Sequence, residues 1–140
     1  MTTESIFLDT SGWIALLSSS DAIHTEATDS WRELLERGCS IVVTDWVVAE
    51  TGNGLARTPA RNRFHRAVRA IESSSRARLI KVSDQLFDEA LELYSSRQDK
   101  TWGLIDCASF VVMQHEGISA AFTTDRHFVQ AGFERLLRSR

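Results

Sequence analysis

Ser5-Ile6-Phe7-Leu8-Asp9-Thr10-Ser11 is a mostly apolar run that stops abruptly at a carboxylate and two hydroxyls. The pattern recurs along the chain. Cys39-Ser40-Ile41-Val42-Val43 ends at Thr44-Asp45, and Ala120-Ala121-Phe122-Thr123 ends at Thr124-Asp125. Arg78-Leu79-Ile80-Lys81-Val82 is another strand candidate, and residues 133–137 form a short fifth. Continuous apolar runs, as opposed to strict alternation, mark strands covered on both faces, the signature of a parallel sheet. Between them lie helical patterns at about residues 12–19, 22–37, 46–56, 59–74, 84–96 and 104–116. Asp21 and Asp84 are placed to cap helix starts, and Gly38 and Gly117 to end helices. Strands alternating with helices predict an α/β fold: a central parallel sheet of four or five strands, with right-handed crossovers and flanking helices.

In such a sheet, ligands sit beyond the carboxyl ends of the strands. Asp9 and Asp125 each end a strand there, although each also suits a turn or cap. Asp106 lies in Leu104-Ile105-Asp106-Cys107-Ala108-Ser109-Phe110-Val111-Val112-Met113, a helix apolar nearly all round and therefore buried. The next strand must rise to the carboxyl edge, so this helix descends and its first turn carries Asp106 to that edge. Helix capping is the alternative role. Glu50 follows Trp46 and Val47 by one helical turn on an apolar face, close to the same edge. Four converging acids with no lysine or histidine nearby repel one another, by roughly 3 kcal/mol per pair at about 5 Å. Protonation or divalent cations relieve that repulsion, and oxygen-only ligands favour Mg²⁺ or Mn²⁺ over zinc. Such a site suits metal-assisted phosphoryl transfer.

At these residues the chain resembles the PIN-domain ribonucleases, particularly the VapC-type toxins of toxin–antitoxin pairs. The matching segments are Phe7-Leu8-Asp9-Thr10-Ser11, residues 44–50, residues 99–113, and Thr123-Thr124-Asp125-Arg126-His127-Phe128 with Ala131-Gly132-Phe133. The resemblance implies one Rossmann-like domain over residues 1–140. It also implies hydrolysis of RNA phosphodiester bonds through a metal-activated water, with one or two Mg²⁺ or Mn²⁺ ions held by Asp9, Glu50, Asp106 and Asp125. Hydroxyls are implied beside the first acid, at Thr10 or Ser11, and beside the last, at Thr124. Asp99 is placed as a loop-ordering or substrate-proximal residue. An antitoxin partner and a homodimer are further implications. Many relatives carry Ser or Thr three residues before the helical acid; Gly103 stands there in this chain, which weakens the expected cap.

Composition frames these readings. The 140 residues suit one domain, and 43% hydrophobic with 25% charged residues is an ordinary globular balance. Cys39 and Cys107 form no paired motif, which argues against a disulfide scaffold or structural zinc and suits a reducing cytoplasm. No apolar stretch is long enough to span a bilayer, and no secretory pattern opens the chain. The net charge of −3 speaks weakly against nucleic acid. Residues 57–78, however, hold seven arginines against the single acid Glu72. Of these, Arg57, Arg61, Arg63, Arg66 and Arg69 are candidates to contact RNA phosphates or an antitoxin, the alternative being a solvated helix face. His127 is placed near RNA phosphate and no histidine as catalytic, while Trp13, Trp31, Trp46 and Trp102 are read as packing residues. Two other functions compete: a catalytically silent RNA- or protein-binding domain of the same fold, and a phosphoacceptor receiver domain. The receiver normally needs a late-strand lysine, and only Lys81 and Lys100 are present. A nuclease of DNA or flap substrates would need clamp elements for which the chain has no room.

Overall fold

Five parallel strands form one sheet in the order β3-β2-β1-β4-β5, in a computed structural model that describes residues 3–138. The strands are β1 (Ser5–Leu8), β2 (Ser40–Thr44), β3 (Ala77–Ile80), β4 (Ala120–Phe122) and β5 (Glu134–Arg135). The helices are α1 (Thr10–Leu17), α2 (His24–Glu36), α3 (Asp45–Leu55), α4 (Arg61–Ser73), α5 (Asp84–Ser96), α6 (Leu104–Glu116) and α7 (Arg126–Gln130). The predicted α/β class and parallel sheet are therefore observed. The chain steps from β1 outward to β2 and β3, then crosses back to β4 and β5. Right-handed crossovers then put α1 to α4 on one face and α5 to α7 on the other. The order reverses between β1 and β4, the position where an open parallel sheet leaves a crevice at its carboxyl edge.

The central strands are apolar because both faces are covered: Phe7, Leu8, Val42, Val43 and Phe122 are all buried. α6 is buried along Cys107 to Met113 without a break, which explains its lack of a polar face. Each tryptophan packs on a phenylalanine: Trp13 on Phe64, Trp31 on Phe122, Trp46 on Phe87 and Trp102 on Phe110. Phe110 also stacks edge-on against Phe128 at 4.9 Å, so the start of α7 is fixed against α6.

Several boundaries differ from the sequence reading for local reasons. α1 begins at Thr10, two residues early, because Asp9 itself occupies the capping position. Ser83, not Asp84, caps α5 by accepting from the Leu86 N–H, and Asp84 sits in the first turn. Asp21 accepts from the Ile23 N–H in the turn before α2 and does not cap the helix. Gly38 and Gly117 do end their helices, both at positive φ where a side chain would be strained.

Candidate active site

Asp9 leaves β1 at the crevice and is only 5% exposed. Two hydroxyls converge on one of its oxygens: Thr123 Oγ1 donates to Oδ2 at 2.7 Å, and Ser11 Oγ lies 3.1 Å from the same atom. The Thr123 oxygen accepts from the Asp125 N–H, and the Ser11 oxygen from the Thr124 N–H. The network therefore stitches the end of β1 to the end of β4 and fixes the rotation of the Asp9 carboxylate. Burial raises the Asp9 pKa from 3.8 to about 6, partly offset by the Thr123 hydrogen bond and reinforced by the charge of Asp106.

The close approach of α1 to β4 makes this geometry possible. A Cβ on Gly12 would fall 2.1 Å from the Phe122 carbonyl oxygen, so only glycine fits. On the neighbouring helix, Glu50 of α3 receives the Thr10 hydroxyl at 2.6 Å, and Thr51 donates in turn to Thr10. Thr10 thus serves Glu50, and Ser11 serves Asp9.

Asp106 sits in the first turn of α6, where its Oδ2 accepts the Gly103 N–H at 3.2 Å. With glycine at the cap, only this half of a reciprocal capping pair exists, as the sequence predicts. Asp125 caps α7 by accepting the His127 N–H at 2.9 Å. Against the expectation of acids with no histidine nearby, one adjoins them. His127 Nδ1 lies 3.0 Å from Asp106 Oδ2 and 3.5 Å from Asp125 Oδ1. Asp106, Asp125 and His127 each offer a ligand atom within 4.8 Å of the others. Cys107, next to Asp106, faces the core, and burial pushes its thiol up to about 11, so it stays protonated.

Asp9, Glu50, Asp106 and Asp125 line one cavity of about 470 Å³, together with Thr10, Ser11, Ile14, Asp21 and Gly54. The lining contains five carboxylates and no lysine or arginine, so the receiver-domain reading lacks its lysine. The side-chain donors of the lining are all oxygens, and a donor set of this charge fits a hard divalent cation. Asp21, expected only to cap a helix, lines the cavity. Thr123 was likewise missed: its hydroxyl holds Asp9, while Thr124, expected to set a hydroxyl beside Asp125, donates its backbone N–H to Ser11.

Other candidates lie elsewhere. Asp99 is on the exposed segment after α5, bound by Arg97 Nε and Nη2 at 3.0 and 3.1 Å, which hold its carboxyl below the ordinary range. Arg97 also lies over Trp102, so Asp99 orders its loop and does not line the cavity. Arg57, Arg61, Arg63, Arg66 and Arg69 are all exposed. Arg61 reaches the Ala56 carbonyl at 3.1 Å, and Arg69 pairs with Glu72. Arg61 and Arg69 flank a groove between α3 and α4, beside Phe64, His65 and Val68. Helical spacing puts Arg63 and Arg66 on the far side of α4.

Comparison with known proteins is consistent with this geometry. The family model described as "PIN domain" matches residues 6–134. The 23S rRNA-specific endonuclease VapC20 of Mycobacterium tuberculosis, in two strains, is 32% identical over 128 residues, or 91% of this chain and 95% of that protein. The crystal structure of Mycobacterium tuberculosis VapC20, described as a sarcin-ricin loop cleaving toxin, matches with a TM-score of 0.80 at 31% identity. That match covers 91% of this chain and 95% of the solved one.

Proposed function

The chain belongs to the PIN-domain family, and on that footing we propose that it is a divalent-metal-dependent endoribonuclease, the toxin of a toxin–antitoxin pair. The observation that carries this reading is the cavity in which carboxylates from five separate places in the chain meet without a neutralising lysine or arginine in the lining. Asp9, Glu50, Asp106 and Asp125 would hold one or two Mg²⁺ or Mn²⁺ ions. When bound, such an ion acidifies water and screens the charge of a phosphodiester. The protein residues orient that chemistry. Thr123 and Ser11 fix Asp9, Thr10 fixes Glu50, and the α6 terminus presents Asp106. Four acids anchored on different elements form a rigid pocket, in keeping with a site that must place an ion and a phosphate together.

The substrate class we assign is a structured loop of large-subunit ribosomal RNA, by similarity to VapC20. A protein antitoxin, a homodimeric state and a cytoplasmic location complete the reading; no helix among the described residues is long and apolar enough to cross a membrane. The test is direct. Purified protein with Mn²⁺ or Mg²⁺ is expected to cut an RNA hairpin carrying the sarcin-ricin loop sequence, with cleavage lost in EDTA. Asp9→Asn is expected to lower cleavage at least about 100-fold, on the scale of losing one electrostatic anchor. Binding of the hairpin without turnover in any divalent metal would favour the silent binding domain instead.

A further inference from the structure

We propose that His127 is a positioning residue that holds Asp106 and Asp125 in the arrangement an incoming divalent ion requires, and that it ties this pair to the loop before α6 through Thr101. The inference rests on the cavity being a metal site.

Asp106 and Asp125 come from different elements, the first turn of α6 and the cap of α7, and are charges of the same sign. Left alone they repel and splay. His127 stands between them with Nδ1 at 3.0 Å from one and 3.5 Å from the other. Ionised carboxylates only accept, so Nδ1 carries the hydrogen. Nε2, 3.3 Å from Thr101 Oγ1, is then the acceptor of the Thr101 hydroxyl. The ring is thus pinned at both ends, and its own backbone N–H holds Asp125 at 2.9 Å. Both ring nitrogens are committed, and His127 is absent from the cavity lining that contains all four acids. A direct-ligand role would require the ring to leave these partners. The oxygen-rich lining needs no nitrogen to suit Mg²⁺ or Mn²⁺. Groups that hydrogen-bond metal-ligating carboxylates typically govern metal affinity by about 10- to 100-fold.

The test is a Mn²⁺ titration of purified protein, followed by the EPR signal of free Mn²⁺. His127→Ala is expected to weaken binding about 10- to 100-fold. His127→Asn places an amide N–H near the position of Nδ1–H and is expected to recover affinity to within about threefold of wild type. Pulsed EPR on the Mn²⁺-loaded wild type is expected to show no nitrogen bound directly to the ion. Wild-type affinity in His127→Ala, an Asn variant no tighter than the Ala variant, or a directly coordinated imidazole nitrogen would each overturn the proposal. If His127→Ala does not fold, judged by far-UV circular dichroism, the Asn affinity and the pulsed spectrum still decide. Absence of Mn²⁺ binding in the wild type, or equal binding in Asp9→Asn, overturns the metal-site reading and this inference with it.

Discussion

Asp9 is costly to bury, and the cost is informative. Its carboxyl is raised from 3.8 to about 6, chiefly by burial and then by Asp106, so the folded chain holds this proton more tightly than the unfolded one. By linkage, folding is penalised as pH rises from about 4 to 6, and the metal-free protein carries a cost of about 2–3 kcal/mol above that window. Asp9→Asn removes the charge and keeps an acceptor for Thr123. In urea denaturation with EDTA at pH 7, the variant is expected to be more stable than wild type by up to that amount. The gap should close near pH 4. A variant less stable at pH 7, by an amount that does not change with pH, would show that the Asp9 charge is not the source of the cost. At this scale the sequence was readable where a residue type announces itself, as with Asp9, Asp106, Asp125 and the hydroxyls at Thr10 and Ser11. Thr123 escaped, and His127 was read only as lying near RNA phosphate, because the decisive partners are remote in the chain: Thr123 bonds a residue 114 positions away, and His127 one 21 positions away. The sequence signal for His127 was its place two residues after a strand-end acid, whose cap bond holds the His127 backbone N–H.

Among the elements, α1 depends most on a single position. Gly12 lets the helix lie against the Phe122 backbone, and that proximity allows Ser11 to reach both Asp9 and Thr124. Gly12→Ala puts a methyl group within 2.1 Å of a carbonyl oxygen that cannot rotate away. The expected loss is about 3 kcal/mol, read as a lower midpoint in urea denaturation, despite the better helix propensity of alanine. Unchanged stability would mean that α1 can shift without cost. Element boundaries were most readable where apolar periodicity is long: α5 and α6 occupy the residues the pattern gives them. They were least readable where one residue has two tasks. Asp9 is both a site acid and the residue preceding α1, so a helix start drawn at the apolar residues alone falls two positions late. The short β5 has only two paired residues, too few for a run of 133–137 to predict its extent.

At the scale of the whole molecule, topology gathers the acids at one edge and sets the arginines on two sides of α4. Asp9 and Asp125 flank the strand-order reversal between β1 and β4, and the adjoining helices bring Glu50 and Asp106 to the same edge. That convergence was inferable from alternating strands and helices, whereas the order of the outer strands was not, since no local pattern encodes it. The net charge of −3 misleads for the same reason: with the four site acids set aside, 16 basic residues face 15 acidic ones. The arginines do not form one track. Arg61 and Arg69 lie beside the groove with α3, the helix that carries Glu50 to the cavity, and Arg57 follows cavity-lining Gly54 by three residues. Arg63 and Arg66 sit across α4. On the proposed function, RNA that entered the cavity past α3 would pass Arg57 and Arg61 first. Each phosphate contact with a single strand contributes about 0.7 to the slope of log affinity against log salt. In the non-cleaving Asp9→Asn background, Arg57→Ala with Arg61→Ala is expected to flatten that slope by about 1.4, while Arg63→Ala with Arg66→Ala leaves it unchanged. Fluorescence anisotropy of a labelled RNA hairpin over a range of KCl concentrations measures both. The opposite pattern would put the RNA on the outer face of α4 and detach the arginine-rich segment from the path into the acidic cavity.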